Sequence, residues 1–229
     1  RRRVFIFATR SDTPFVQQRK SFEPAEVLFE KGFFAPAFPV NERPKPENSS
    51  TELPTDTVTI SDTFSFKYHE AGYMRERKVW TTRFIPDTIP TATLGSVLEH
   101  NVSDERYYLK PETIEKFRYL KGAKRVERTA LNGHTYLFSE GGIPFPESLD
   151  QPGRTMLTSE GTTNRSTHIV ADPGNGRLRK LTPVECERLN GFPDDWTAGM
   201  PDRWRYFCMG NALVVGLIEK MALRLRELI

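Results

Sequence analysis

The sequence predicts an α/β fold with an irregular, β-rich middle, and three observations support that prediction. Residues 4–8 form a continuous apolar run, which is typical of a strand covered on both faces. Residues 58–82 and 133–170 contain short segments of alternating apolar and polar side chains between glycine turns, a pattern that indicates hairpins. Residues 183–190 and 212–229 carry apolar side chains at helical spacing, so helices are expected to close the chain.

Composition and charge are those of a folded, soluble protein. Of the 229 residues, 37% are hydrophobic and 28% are charged, which excludes a disordered chain. No apolar run is long enough to cross a bilayer and no signal peptide opens the chain, so we expect a cytoplasmic protein, nucleoid-associated in a prokaryote. The net charge of +3 permits a nucleic-acid partner without requiring one. Cys186 and Cys208 are far apart and predict neither a disulfide nor a metal site.

Arginines precede the first apolar run. The chain begins Arg1-Arg2-Arg3, with no initiator methionine, and enters the run directly. Because side chains alternate along a strand, Arg1 and Arg3 are expected to point the same way. Arginines at a terminus are, taken alone, more typical of a solvated end. A strand of interior type at the start predicts a segment of a longer polypeptide, or one half of a divided enzyme.

The region that follows gives weaker signals. Residues 41–57 are polar and rich in proline, which predicts an exposed loop. Residues 58–67 and 72–82 alternate apolar and polar side chains and predict paired strands. Residues 111–119 predict a helix with proline at its first position. The basic residues after it suit either a DNA backbone or the negative end of that helix. They are Lys121, Lys124, Arg125 and Arg128.

A loop rich in short hydrogen-bonding side chains joins two further predicted strands, residues 154–158 and 168–170. Side chains of these types read base edges and grip phosphates: arginine pairs with guanine, asparagine with adenine, and glutamate accepts from cytosine. The same composition is also usual in an ordinary hairpin loop. The candidate DNA-binding residues are Arg154, Thr158, Ser159, Glu160, Gly161, Asn164, Arg165, Ser166 and Thr167.

Residues 176–196 predict a strand end, a short capped helix and an abrupt stop. Thr182 is a natural N-cap, and Pro183 suits the first helical position because its missing N–H costs nothing there. Gly191 and Pro193 are expected to end the helix. The side chains predicted to be buried are Val184, Cys186 and Leu189, and those predicted to face solvent are Glu185, Glu187 and Arg188. Further on, Gly210 and Asn211 are expected to open the final helix.

Together these motifs resemble the closing motifs, IX and X, of the DNA 5-cytosine methyltransferases. The matching runs are Arg-Lys-Leu-Thr-Pro-x-Glu at 179–185, Gly-Phe-Pro at 191–193 and Gly-Asn-Ala at 210–212, and their spacing is that of the family. The start of the chain resembles motif VIII, Gln-x-Arg-x-Arg before an apolar strand. Arg1 and Arg3 take the two arginine positions, and the glutamine is absent.

The resemblance implies an architecture. Residues 1–9 would be the last strand of a Rossmann-like, S-adenosylmethionine-dependent methyltransferase sheet. Residues 10–175 would form a small, irregular, β-rich target-recognition domain, and residues 176–229 would return to the catalytic domain. The fold class implied is therefore the C-terminal part of an α/β methyltransferase. The resemblance also implies that the cofactor pocket is bordered by Asn211, Ala212 and Leu213.

The resemblance further implies methyl transfer from S-adenosylmethionine to C5 of a cytosine swung out of double-stranded DNA, which leaves S-adenosylhomocysteine. Arg3 would donate to the cytosine O2 and Arg1 would brace it. The family's Pro-Cys nucleophile, glycine-rich cofactor loop and Glu-Asn-Val triplet do not occur. We therefore expect this chain alone to be inactive and to need an N-terminal portion bearing Pro-Cys, on the same or a separate chain. Neither a metal nor a membrane is expected.

Two alternatives remain at this stage. The chain is either part of such a methyltransferase, as in a restriction–modification system, or a stand-alone DNA-binding or regulatory module that lost catalysis. A structural protein with fortuitous motifs would place Arg3 and Asn211 far apart, facing no common cleft. The composition of the recognition loop does not define a target sequence.

Overall fold

A computed structural model of the chain describes residues 4–40, 50–83 and 92–228. The chain divides into two compact units, one formed by Arg1–Ile89 with Leu217–Ile229 and the other by Pro90–Gly216. Helices and strands are both present, as predicted. The expected domain boundary between residues 175 and 176 does not coincide with a boundary of these units, and it stays a prediction.

The first unit contains a small antiparallel sheet with short helices. Strand β3 lies between β1 and β2, and Tyr73 stacks on the Trp80 ring with 5.6 Å between ring centroids. Residues 72–82 therefore form strands as predicted, but these strands pair with each other and with Ser50–Glu52, not with residues 58–67. The elements in chain order are α1 (Pro14–Gln17), α2 (Pro24–Glu26), a π-helical turn (Val27–Lys31), β1 (Ser50–Glu52), α3 (Thr57–Thr63), β2 (Ala71–Arg75) and β3 (Lys78–Thr82).

Two predictions in this unit need correction. The strand predicted within residues 58–67 is wrong, because Thr57–Thr63 is helix α3. The Asp56 carboxylate accepts a hydrogen bond from the Thr59 N–H at 2.7 Å, and this N-cap favours a helix over the strand that the alternating pattern suggested. Of the predicted loop, residues 41–49 lie outside the described residues and Ser50–Glu52 pairs as β1.

Residues 4–8 join none of the described sheets, so the structure does not show the covered strand that was predicted. Their side chains are alternately exposed and half-buried, with Val4 and Ile6 exposed by 82% and 85%. Phe7 stacks on the Phe33 ring at a centroid distance of 3.8 Å. Arg1 and Arg3 lie outside the described residues, so their predicted catalytic position stays a prediction.

The second unit contains two separate strand pairs and several helices. Strands β4 and β5 pair with each other, as do β6 and β7, and both pairs are antiparallel. The strand predicted at residues 154–158 is wrong, since that segment has no regular secondary structure. The elements are 3₁₀ turns at Gly95–Val97 and Glu105–Tyr107, α4 (Pro111–Lys121), β4 (Lys124–Thr129), β5 (Thr135–Glu140), β6 (Ile169–Ala171), β7 (Leu178–Lys180), α5 (Pro183–Leu189) and α6 (Asp202–Asn211). Helix α7 (Val215–Arg226) begins at the end of this unit, and its residues from Leu217 onward belong to the first unit.

The core of the second unit lies where α5 and α6 meet the segment before the predicted recognition loop. The Tyr206 hydroxyl on α6 donates to the Leu181 carbonyl at 2.6 Å. A Cβ on Gly210 would lie 2.4 Å from the backbone of Leu157 and Thr158, so only glycine allows this close approach. The buried apolar residues are Leu94, Val97, Leu98, Met156, Val170, Leu181, Cys186, Tyr206 and Met209.

Helix α5 begins and ends as predicted, but two of its charged residues are not in solvent. Thr182 and Glu185 form a reciprocal capping box. Glu185 and Glu187 are fully buried, so their predicted exposure is wrong. Glu185 pairs with Arg179 at 2.8 Å, and Glu187 pairs with Arg205 at 3.0 Å. Charge is tolerated in the interior here because each carboxylate has a cationic partner.

The final helix also begins later than predicted. Gly210 and Asn211 end α6 instead of opening a new helix, and Ala212 is extended at the C-cap. The Val215 N–H, at the start of α7, donates to the Asn190 carbonyl at 2.8 Å. Apolar periodicity alone did not reveal this break, because the residues on both sides of it are apolar.

Candidate nucleic-acid interface

The predicted recognition loop, residues 159–167, forms with Thr158 a succession of tight turns between the core and β6. The Glu160 N–H donates to the Leu157 carbonyl at 2.9 Å, and the Thr167 N–H donates to the Asn164 carbonyl at 3.1 Å. Thr158 and Thr162 expose their side chains. The Thr162 hydroxyl donates to the Ser159 carbonyl at 2.7 Å, so the loop is folded by its own backbone and side-chain hydrogen bonds.

Glu160 is a structural support of this loop. Its side chain is buried, and its Oε1 accepts from the His168 backbone N–H at 2.7 Å. Its Oε2 lies 3.0 Å from Nδ1 of the fully buried His168 ring. Thr167 is also buried, and its hydroxyl donates to the Thr162 carbonyl at 2.7 Å. In this arrangement both side chains face the protein interior, and any influence on DNA would pass through the loop's shape.

Arg165 connects the loop to the end of α4 and to the strand pair that follows it. Its guanidinium donates to the carbonyls of Leu120 at 2.6 Å, of Gly122 at 3.1 Å, and of Gly141. It also pairs with Glu140 at 2.9 Å. A cation at the carboxyl end of a helix is stabilised by the helix dipole, so α4 provides a favourable site for this charge.

Arg154 makes a second internal connection. Its guanidinium binds the buried Glu147 carboxylate at 2.5 Å and donates to the Ser166 carbonyl at 3.1 Å. Lys121 reaches the same carboxylate at 3.1 Å and is almost fully buried. Burial alone would raise the pKa of Glu147, but Arg154 and Lys121 outweigh it and lower that pKa. Burial lowers the pKa of Lys121.

The nine candidate DNA-binding residues therefore occupy different environments. Thr158 is exposed, whereas Glu160 and Thr167 are buried. The guanidinium groups of Arg154 and Arg165 bind carboxylates and carbonyls of the protein. The half-buried remainder consists of Ser159, Gly161, Asn164 and Ser166. A role in DNA binding stays a prediction for the whole set.

A cavity of about 630 Å³ lies beside the loop, between it and α6. Trp204 and Phe207 on α6 form its aromatic wall, and they are exposed by 50% and 43%. Arg203 lies over the Trp204 ring, 5.7 Å from its centroid. The loop contributes Thr158, Glu160, Gly161 and Thr162, and the other lining residues are Arg106, Tyr107, Lys180, Asp202 and Tyr206. Sequence reasoning missed this wall, because Trp204 and Phe207 are about 40 residues from the loop in the sequence.

The polar groups of the cavity are already oriented. Lys180 donates to the Gly161 carbonyl at 2.7 Å, and burial lowers its pKa. Tyr107 donates to Asp202 at 3.1 Å, and burial together with that carboxylate raises the pKa of Tyr107 to about 12. An exposed aromatic wall beside cationic groups suits a nucleobase with its phosphate.

Gly161 explains how the loop reaches this wall. Its φ of +82° is in the region that glycine favours, and a Cβ there would lie 2.5 Å from the Tyr206 ring. A larger residue would push the loop away from α6. The glycine therefore defines the shape of the cavity.

The predicted cofactor residues lie at the other end of α6. Asn211 is exposed and its Nδ2 donates to the Phe207 carbonyl at 3.1 Å, which leaves the amide oxygen accessible. Ala212 is half-buried and Leu213 is 42% exposed. An accessible amide acceptor beside exposed apolar side chains fits one wall of a nucleoside pocket.

Other reactive groups were assessed within the described part of the chain. Cys186 is fully buried, and burial raises the pKa of its thiol, which disfavours the thiolate that a nucleophile requires. Over residues 4–40, 50–83 and 92–228, no group of three or more His, Cys, Asp or Glu side chains is arranged to hold a metal ion. In those same ranges no single helix is long and apolar enough to cross a membrane.

Comparison with known proteins shows which family this chain is similar to. The sequence profile of the family described as C-5 cytosine-specific DNA methylase matches residues 1–227. The type II methyltransferase M.Sau3AI of Staphylococcus aureus is 44% identical over 229 residues, which is all of this chain and 55% of that protein. The type II methyltransferase M.HpaII of Haemophilus parainfluenzae is 27% identical over 140 residues, 59% of this chain and 38% of that protein. The chain thus spans about half the length of M.Sau3AI.

Proposed function

This chain belongs to the C-5 cytosine-specific DNA methylase family, and from that premise we propose that it recognises the target sequence for a DNA cytosine-5 methyltransferase. The match over residues 1–227 carries the proposal. The internally anchored loop supports it, because polar side chains and backbone groups at a loop surface can reach the phosphates and base edges of double-stranded DNA. The type II names of the relatives further suggest a restriction–modification system.

Within this proposal the loop residues have two kinds of role. Thr158, Ser159, Gly161, Asn164 and Ser166 contact DNA, either through side chains or through backbone groups at the loop surface. The positioning residues keep the loop in shape, since their polar groups are bound inside the protein. They are Arg154, Glu160, Arg165 and Thr167.

The same proposal assigns the reaction. S-adenosylmethionine, when bound, supplies the methyl group and leaves as S-adenosylhomocysteine. Asn211, with Ala212 and Leu213, borders its pocket and offers an amide acceptor beside apolar surface. Arg3 donates to O2 of the flipped cytosine, and Arg1 orients it. A Pro-Cys segment outside residues 1–229 carries the nucleophile, on the same chain or another.

The proposal also includes the division of labour along the chain. Residues 1–9 complete the catalytic sheet, residues 10–175 form the recognition domain, and residues 176–229 return to the catalytic domain. The complete enzyme acts in the cytoplasm on duplex DNA. The chain of residues 1–229 alone is inactive because it lacks the Pro-Cys nucleophile.

Bisulfite sequencing tests the proposed function. The natural full-length protein is expressed in a host without cytosine-5 methylation, and the host DNA is converted and sequenced. We expect protected cytosines at one position of one short sequence, and no protection with the Arg3→Ala variant. Complete bisulfite conversion of every cytosine in DNA from a host that expresses the unaltered, folded protein would contradict the proposal.

A further inference from the structure

Strands β4 and β5 form a two-stranded ribbon whose two faces are both exposed. We define the ribbon as Lys124–Thr129 and Thr135–Glu140 with the turn between them. Apart from Lys124, Phe138 and Glu140, which are half-buried, its strand residues are exposed. A two-stranded ribbon is marginally stable when neither face is covered, so its exposure calls for a partner.

Cross-strand pairing assigns the side chains to the two faces. Arg125 lies opposite Ser139, and Thr129 lies opposite Thr135. Residues that are directly opposite project from the same face. The first face therefore carries Arg125, Glu127, Thr129, Thr135, Leu137 and Ser139, and the second carries Lys124, Val126, Arg128, Tyr136, Phe138 and Glu140.

The first face has the residue types that read base edges. Arginine pairs with guanine, glutamate accepts from the cytosine amino group, and threonine and serine hydroxyls serve as donors or acceptors. The Arg125 side chain makes no hydrogen bond or ion pair with any residue in the described ranges. Its guanidinium, unlike those of Arg154 and Arg165, remains available to a ligand.

Charge and shape both favour duplex DNA as that ligand. The Glu140 carboxylate is neutralised by Arg165 at 2.9 Å and by Lys124 at 3.8 Å. The Arg128 guanidinium lies over the Phe138 ring, 3.7 Å from its centroid, and forms no ion pair within the part of the chain that the structure describes. Two-stranded ribbons fit the major groove, which is about 12 Å wide, and six strand residues extend roughly 20 Å along it.

The ribbon is mechanically connected to the recognition loop. Arg165, within the loop, binds the carbonyls of Gly122 and Gly141, the residues that border the ribbon at its base. A shift of one element therefore requires a shift of the other. DNA bound at the loop would meet the ribbon in a fixed orientation.

We propose that the β4–β5 ribbon lies in the major groove of duplex DNA and that Arg125 reads a guanine there. This inference rests on the proposed function and adds a second specificity element to the loop. Arg128, on the opposite face, contacts a phosphate. The ribbon thus supplies one base contact and one backbone contact.

The test compares three variants of the natural full-length protein on the sequence that bisulfite mapping identifies. Arg125→Ala is expected to weaken specific binding roughly 5- to 150-fold and to relax the preference at one guanine. Arg128→Ala is expected to weaken binding to all duplexes similarly and to reduce the salt slope by about 1. Arg10→Ala removes an exposed arginine from the other unit as the matched control and should change neither quantity.

Dimethyl sulfate protection locates the contact, because it modifies guanine N7, which faces the major groove. We expect one guanine to be protected by the unaltered protein and to become reactive with Arg125→Ala. Unchanged affinity, sequence preference and protection in folded Arg125→Ala and Arg128→Ala would overturn the ribbon inference while the proposed function stands. If the unaltered protein neither binds nor methylates duplex DNA, both fail.

Discussion

Arg179 on β7 and Arg125 on β4 occupy opposite environments within one compact unit. Arg179 is fully buried and pairs with Asp172 at 2.6 Å and with Glu185 at 2.8 Å. Arg125 is exposed, and its side chain forms no ion pair with any residue of the described ranges. The first holds a strand against a helix, and the second is available for a ligand.

The comparison separates two sets of residues in this unit. We call the buried, paired charges that hold the fold together the frame, and the exposed charges that are available for a ligand the binding surface. Around β7 and α5, each buried charge has a partner, so the side chains are specified by the fold. Around β4 and β5, exposed charges contribute little to folding, so they are available for binding. Residue type alone distinguishes neither role; burial and partners do. The predictions below test where the division lies.

The largest effect is expected from Arg179→Ala, which leaves two buried carboxylates without their cation. Breaking a buried pair in this way costs about 3–5 kcal/mol of unfolding free energy. Urea denaturation followed by circular dichroism measures it. Arg177→Ala is the control. Arg177 lies two residues before Arg179 and forms an exposed ion pair with Glu105, so its removal should leave the urea midpoint unchanged. Equal losses of unfolding free energy in Arg179→Ala and Arg177→Ala would contradict the distinction between buried and exposed arginines.

Gly210→Ala should be the next most disruptive change, because the new methyl group would overlap the backbone of Leu157 and Thr158. Overpacking of this kind costs roughly 1–3 kcal/mol. Gly216→Ala is a matched control, since a Cβ there meets no atom within 4 Å. It should be neutral or stabilising. Thermal unfolding of the two variants compares them directly, and a stable Gly210→Ala protein would show that α6 is free to move.

Arg165 is half-buried and connects the recognition loop to the ribbon, so Arg165→Ala should reduce DNA affinity more than it reduces the unfolding free energy. Removal of its guanidinium frees the ribbon base from the loop, so we expect specific DNA affinity to fall by roughly 1–3 kcal/mol. Hydrogen exchange of the amides in β4 and β5 should increase as well. Arg118→Ala, at an exposed pair with Glu115, serves as the control. Weaker binding without faster exchange would indicate direct contact with DNA.

Acid should weaken the frame of the unit. The fold lowers the pKa of Asp172 and of Glu147 below their ordinary values, mainly through Arg179 and Arg154. Groups with lowered folded pKa values stabilise the protein above their unfolded pKa values. That stabilisation is lost as pH falls through the folded values. Unfolding free energy should therefore be constant near pH 7 and decline below about pH 4.5, where the unfolded glutamate takes up its proton.

Arg179→Ala provides the control for this pH dependence. It removes the cation that lowers the pKa of Asp172, so the decline in acid should be shallower than in the unaltered protein. Urea titrations at pH 7, 5 and 3 give the slopes. Identical slopes of unfolding free energy against pH for the two proteins would show that Asp172 does not contribute to the loss of stability in acid.

The sequence was most informative where local chemistry decides the structure. Thr182, Pro183 and Gly191 correctly predicted the bounds of α5, because capping and helix termination depend on adjacent residues. Helix α4 was predicted for the same reason. The helix at Thr57–Thr63 was missed because its alternating pattern also fits a strand.

Sequence reasoning was least informative where a residue distant in the sequence determines whether a charged side chain is buried or exposed. Glu185 and Glu187 were predicted to face solvent, since nothing in a helical pattern reveals a buried arginine opposite. For the same reason, Arg165 was chosen as a base-reading residue, although its guanidinium binds three carbonyls of the protein. The aromatic wall at Trp204 depends on how α6 packs against the loop, which motif spacing does not specify.

The most direct test of the central claim is selection of bound duplexes from a random pool by the natural full-length protein, followed by sequencing. The account predicts enrichment of one short motif, identical to the motif that the protein methylates, and loss of that enrichment with Gly161→Trp, whose side chain would displace the loop from Tyr206. Two results would contradict the account. One is recovery of the pool by the unaltered protein without enrichment of any motif, and the other is enrichment of the same motif by Gly161→Trp.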